Sequence, residues 1–305
     1  MFLGLDCGGS NTRAIAVDPN GHTVLQGASG PANWATTPRD EVRGHLAEAA
    51  RGVDYVHAVC GCFAGLLTDE NRTDAEAMLS SLFPDAKVCA RPDYYAALAA
   101  CPPETTVCVI AGTGSMVCSW YKGSVVKSGG GGPWFGDHGS AYGIVREALS
   151  EILKRSGEDR LQVTTLSNGN PSQFLSELFE KLNVSHLEGA ISQIYQQGMK
   201  PATIAAFAPS ILRDFDGGAP YAEFSIGTEM DSLVDILRWH LKTYHPDVSE
   251  PIVALVGGVW AISPQLENNF LRSSWELITG GAPLKITHPT DSPALGAARL
   301  ALQMI

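Results

Sequence analysis

The chain has 305 residues, 45% hydrophobic and 17% charged, a balance that suits a folded globular protein and excludes a disordered chain or a disulfide-stapled miniprotein. Its 21 Lys and Arg against 32 Asp and Glu give a formal net charge of -11 with no basic stripe, which argues against nucleic acid as a partner. No apolar run reaches the roughly 18 residues that span a bilayer, and Met1-Phe2-Leu3-Gly4-Leu5-Asp6 lacks the basic and apolar regions of a signal peptide. A soluble, cytoplasmic protein with no membrane partner is expected.

In chain order, Phe2–Cys7 reads as an apolar strand, Gly8-Gly9-Ser10-Asn11 as a turn and Thr12–Val17 as a second strand. Asp18-Pro19-Asn20-Gly21 supplies turn chemistry before a third strand near His22–Gln26. A loop over Gly30–Thr37 leads to a helix from about Arg39 to Arg51. Strands follow near Tyr55–Cys60, Ala86–Ala90 and Thr105–Ala111, separated by helices at about Arg72–Leu82 and Asp93–Ala100. This alternation predicts an α/β fold. At Val107–Trp120 the opening pattern of strand, Gly/Ser turn and strand returns, here with Gly112-Thr113-Gly114-Ser115, and suggests a duplicated domain. Beyond Gly129–Gly132 the chain turns helical, with starts near Gly139, Pro171, His186, Pro201 and Ala219. Pro251–Val256 reads as a buried strand ending in Gly257-Gly258, and Ser292–Met304 as a helix with Pro293 at its first position.

The seven cysteines are odd in number, and Cys7, Cys60, Cys62, Cys89, Cys108 and Cys118 sit in apolar segments, so free core thiols in a reducing compartment are expected. Cys60-Gly61-Cys62 has no companion motif for a metal, and His240 and His245, five apart on a helix, do not share a face as ligands four apart would.

A Gly/Ser/Thr turn between two strands can aim several backbone N–H groups at one phosphate, and the same residues also make ordinary hairpins. Gly8, Gly9, Ser10, Asn11 and Thr12 form one such turn, and Gly112, Thr113, Gly114 and Ser115 the other. Asp6, at the end of the first strand, can hold Mg²⁺ through water or bond to its own turn. Neither the P-loop signature nor the dinucleotide fingerprint is present.

Phe2–Val17 ("FLGLDCGGSNTRAIAV"), Ala111–Ser115 ("AGTGS"), Gly129–Tyr142 ("GGGGPWFGDHGSAY") and the closing "DSPALGAA" together resemble the N-acetylglucosamine kinase and BadF/BadG/BcrA/BcrD ATPase family. The resemblance implies the actin, sugar kinase and Hsp70-like fold: duplicated ribonuclease H-like domains with a nucleotide and sugar cleft between them. It places one domain at 1–104, completed by the helix at 290–305, and the other at 105–289. ATP and Mg²⁺ are the implied cofactors, a sugar the substrate and a homodimer the assembly. Asp93 matches the family's catalytic Asp, although Asp after Pro also caps helices. Asn33, Trp34, Gly65, Gly132 and Asp137 match sugar-binding positions, with a loop Asn and a helix-capping Asp as plain alternatives. Gly257 and Gly258 match the adenosine motif, or a tight turn.

Three residues depart from the pattern: Cys7 for Gly, Pro133 within Gly-Trp-Gly, and His138 for the Glu of GDEGS. Three readings therefore stand side by side. One is an ATP-dependent kinase acting on the C6 hydroxyl of N-acetylglucosamine or glucosamine. The others are an ATPase that activates a dehydratase or reductase, and a sugar or nucleotide sensor without catalysis.

Overall fold

The computed structural model describes residues 1–263, 265–268, 270 and 284–305. The chain divides into two compact units, Met1–Glu104 with His288–Ile305, and Thr105–Thr287.

The first unit is built on β1 (Phe2–Cys7), β2 (Thr12–Val17), β3 (Thr23–Ser29), β4 (Ala58–Phe63) and β5 (Lys87–Pro92), in the sheet order β3-β2-β1-β4-β5. β1 runs antiparallel to β2 and parallel to β4, which is parallel to β5. Side chains alternate across the sheet, so each face has its own core. Leu3, Leu5, Val59 and Phe63 pack with Val42, Leu46 and Leu79, from α1 (Arg39–Ala49) and α2 (Asp69–Leu82). Phe2, Cys60, Cys62 and Cys89 pack on the other face with α3 (Tyr94–Ala99) and α11 (Pro293–Leu302). β4 lies three residues later than its apolar run suggests, and β5 starts one residue later and ends two later, because the apolar signal includes the loops that enter them. α2 starts at Asp69 rather than Arg72, where the Thr68 hydroxyl accepts from the N–H of Asn71 at 3.2 Å.

The second unit repeats the plan with β6 (Val107–Ala111), β7 (Ser115–Tyr121), β8 (Ser124–Ser128), β9 (Ile252–Val256) and β10 (Lys285–Thr287), in the order β10-β9-β6-β7-β8. Again the first strand is antiparallel to the second and parallel to the fourth. Between β8 and β9 come α4 (Ala141–Leu153), α5 (Gly157–Thr164), α6 (Gln173–Leu182), α7 (Leu187–Gln196), α8 (Pro201–Ala205), α9 (Ala208–Asp216) and α10 (Pro220–Tyr244). Their apolar stripes form one core with the sheet, around Ile144, Phe174, Phe207, Tyr221, Met230 and Leu237. Asp214, buried in it, accepts from the Ser172 and Tyr221 hydroxyls at 2.6 Å each and from the N–H groups of Gln173 and Phe174 at the start of α6. Its charge is thereby spent on structure. No helix among the described residues is long and apolar enough to cross a membrane.

Candidate functional site

In the first unit the chemistry-bearing residues lie at the C-terminal ends of the parallel strands β1, β4 and β5, the edge at which open α/β sheets expose their loops. Asp6 is the penultimate residue of β1, opposite Arg13 on β2 and Cys62 on β4. Its carboxyl is pushed up to about 6, first by burial and then by the negative charge of Asp93, with Arg13 pulling the other way. Asp93 follows β5 directly. Its N–H donates to the Phe63 carbonyl at 3.1 Å and its Oδ1 accepts from the N–H of Tyr94 at 3.0 Å, so it caps α3 while facing Asp6 electrostatically.

The turn after β1 is closed by the Gly8 N–H on the Asn11 carbonyl at 2.9 Å, which leaves Gly9, Ser10 and Asn11 exposed. Thr12 is buried and its hydroxyl donates to the Gly30 carbonyl at 2.8 Å, so only its backbone can serve the turn. The Asn33 loop is stitched to the same corner by Ala32 N–H to the Gly8 carbonyl at 3.0 Å and Trp34 N–H to the Ala64 carbonyl at 2.8 Å. Asn33 Oδ1 accepts from the Ala35 N–H at 2.9 Å, and a Cβ at Gly65 would lie 2.5 Å from that oxygen, so glycine is what lets the two loops meet. Trp34 departs from the expectation. Its side chain is 1% exposed, stands edge-on to Phe63 and carries the Arg39 guanidinium 4.0 Å above its ring, which makes it core rather than a sugar contact.

In the second unit the Gly112 N–H bonds to the Gly114 carbonyl at 2.8 Å, and the Ser115 hydroxyl donates to the His138 carbonyl at 2.6 Å. That bond ties the turn to the loop carrying Asp137. The Asp137 carboxylate accepts from the N–H groups of Ser115 and Gly132; burial raises its pKa and these bonds pull it down. Its backbone is left-handed, with φ 56°, a strained state for a non-glycine residue. Trp134 and Phe135, at the tip of the loop, are 83% and 92% exposed. After β9, a Cβ at Gly257 would lie 2.2 Å from the Ala111 carbonyl, so this glycine serves strand packing, whereas Gly258 has open space beside it.

Glu229, on α10, escaped the sequence reading. It is 2% exposed, and its carboxylate takes the Gly139 N–H at 2.7 Å and Arg146 Nη2 at 3.1 Å, with His138 Nδ1 at 3.8 Å. The signal was an acidic residue in the apolar stripe of Ile226, Met230 and Leu233. All seven cysteines are buried, with Cys60 and Cys62 Sγ 3.8 Å apart. His240 and His245 do converge, against the helical-spacing argument, because α10 ends at Tyr244 and His245 leaves the helix. Both rings bond to Ser119 Oγ at 2.8 Å. Among the described residues no group of three or more His, Cys, Asp or Glu could hold a metal.

Two α/β units of one topology, each with a glycine turn between its first two strands, define a duplicated ATPase-type fold. The chain belongs to the BadF/BadG/BcrA/BcrD ATPase family, whose model matches residues 3–301. It is similar to the N-acetyl-D-glucosamine kinase of Dictyostelium discoideum, 24% identical over 99% of this chain and 98% of that protein. It is also similar to the N-acetylmuramic acid/N-acetylglucosamine kinase of Clostridium acetobutylicum, 28% identical over 67% of each. A solved structure from Porphyromonas gingivalis, described as a candidate N-acetylglucosamine kinase, shares the fold with TM-score 0.74 at 18% identity, covering 99% of both chains.

Proposed function

We propose that this protein is an ATP-dependent kinase of an amino sugar, N-acetylglucosamine or glucosamine, acting on the C6 hydroxyl. The observation that carries the reading is Asp93, a carboxylate fixed by backbone bonds at the end of β5 and within the field of Asp6. The two curated kinase relatives support the substrate class. In the proposed step Asp93 accepts the hydroxyl proton while the sugar oxygen bonds to the γ-phosphorus and the bond from phosphorus to the β–γ bridging oxygen breaks, giving sugar phosphate and ADP.

The turns at Gly8–Thr12 and Gly112–Ser115 are assigned to the phosphates, and the open space at Gly258 to the nucleoside. Asn33, Gly65, Gly132 and Asp137 are assigned to the sugar. The residues fit Mg²⁺: Asp6 is a hard oxygen donor with a second carboxylate, Asp93, near enough to raise its pKa, and Mg²⁺ takes one or two carboxylates with water and phosphate completing its shell. Bound there, the ion would offset phosphate charge. A homodimer in the cytoplasm remains part of the proposal.

The test is ADP release from Mg-ATP with N-acetylglucosamine, glucosamine, N-acetylmannosamine, N-acetylmuramic acid, glucose and no sugar. Release that depends on an amino sugar is expected. Asp93→Asn should lower kcat by at least about a thousandfold while ATP still binds. Transfer at the wild-type rate in that variant would remove Asp93 as the base, and sugar-independent release would remove the kinase reading.

A further inference from the structure

The segment Gly129–Gly139 carries Asp137, yet four consecutive glycines, with φ between 71° and 95°, give it little conformational preference of its own. Ser115 ties it to the β7 turn through Asp137 and His138, and two helices hold the rest. Glu229 on α10 accepts the Gly139 N–H at 2.7 Å, and its other oxygen takes Arg146 Nη2 at 3.1 Å. Arg146, on α4, donates through Nη1 to the Pro133 carbonyl at 3.4 Å. One buried carboxylate therefore holds the loop at its end directly and near its middle through the guanidinium. Gly143 makes the room, since a Cβ there would lie 2.5 Å from Glu229 Oε2. A carboxylate in the apolar stripe of a helix is costly to desolvate, and packing alone would be served by a leucine.

We infer that Glu229, acting through Arg146 and the Gly139 N–H, is the positioning residue that holds Asp137 in its left-handed conformation and so sets the affinity for the sugar rather than for the nucleotide. The inference rests on the reading of Asp137 as a sugar-binding carboxylate.

Two variants test it. Glu229→Gln keeps the volume and an acceptor for Gly139 but removes the charge opposite Arg146. Arg146→Lys keeps the charge but loses the fork that reaches Glu229 and Pro133 together. Each should raise the KM for the sugar about tenfold while kcat and the KM for ATP stay within about twofold. The double variant should be no worse than the worse single one, because the two residues act in one network. In hydrogen exchange, the amides of residues 130–139 should open about tenfold faster in Glu229→Gln, with those of 107–121 unchanged. A folded variant with an unchanged KM for the sugar, or one in which both KM values rise together, overturns the inference. If the wild type phosphorylates no sugar, it is the kinase reading that falls. The exchange rates then decide the clamp alone: faster opening of 130–139 supports it and unchanged opening overturns it.

Discussion

Asp6 shows how a single side chain can work against the stability of the fold that holds it. Burial and the charge of Asp93 raise its carboxyl from 3.8 to about 6, with Arg13 offsetting only part. A carboxyl raised in the folded state gives its full stability below the unfolded value and loses it as pH rises through the folded one. Asp6→Asn should therefore match the wild type near about pH 4 and exceed it by up to about 3 kcal/mol at about pH 8, as read from urea denaturation. Equal stabilities at the higher pH would mean that Asp6 ionises freely. Asp93→Asn should also bring the Asp6 titration, followed by carboxyl NMR, back toward the ordinary range. The places of both aspartates, at or just after the end of an apolar strand and before a turn or helix, were legible as a local signal, whereas the role proposed for Asp93 came from the family resemblance. Trp34 misled because its partners, Phe63 and Arg39, come from other elements. Glu229 was missed for the same reason, its partner Gly139 lying 90 residues away.

At the scale of elements, α11 explains why the C-terminal motif is spelled in small residues. Ala294, Ala297, Ala298 and Ala301 are buried, and the helix approaches its neighbours backbone to backbone. A Cβ on Gly4 of β1 would lie 2.1 Å from the Ala298 nitrogen, and one on Gly296 would lie 2.2 Å from the Ala96 carbonyl of α3. In an exposed helix, Gly to Ala would stabilise by up to about 1 kcal/mol. Here Gly296→Ala must push α11 off α3, and a net loss of about 2 kcal/mol is expected, seen as a lower Tm in calorimetry. A Tm equal to or above that of the wild type would mean that the helix shifts freely. The start of this helix was readable from Ser292, whose hydroxyl accepts from the Leu295 N–H at 3.3 Å, and from Pro293 after it. α5 and α9 were not read as separate helices, because short amphipathic segments between loops carry too few turns for their period to stand out. The helical passage reads to about His245 in the sequence and α10 ends at Tyr244, a difference of one residue that is enough to take the His245 ring off the helix.

Across the whole molecule the duplication was legible, because strand, glycine turn and strand recur with the same polarity, and the two sheets repeat one strand order. Past the long helical passage, β9 was read at Pro251–Val256, whereas β10, only Lys285–Thr287, is too short to carry a pattern of its own. The two units also carry titrating groups of opposite sense. In the first, Asp6 loses its contribution as pH rises. In the second, His240 is fully buried between Ser119 and Ser128, at 2.8 and 2.7 Å, and burial, with His245 beside it, pushes the imidazole down to about 4. A base whose folded pKa is depressed contributes stability above its unfolded value and loses it as pH falls toward the folded one. Acidification from about pH 6.5 to about pH 4 should thus cost the second unit up to about 3 kcal/mol through this ring. Asp137, in the same unit, is shifted upward and acts in the opposite sense, so the comparison must be with a variant rather than with the raw profile. His240→Gln, which keeps polar atoms near both serines, should lower stability at neutral pH but flatten its acid slope. Hydrogen exchange at the two pH values should show the loss in peptides of α10 and β7, while those of β1 and β4 become better protected as Asp6 takes up its proton. Equal acid slopes in the wild type and the variant would mean that the ring takes up its proton without leaving Ser119 and Ser128, and that two hydroxyls suffice to hold an imidazolium in this core.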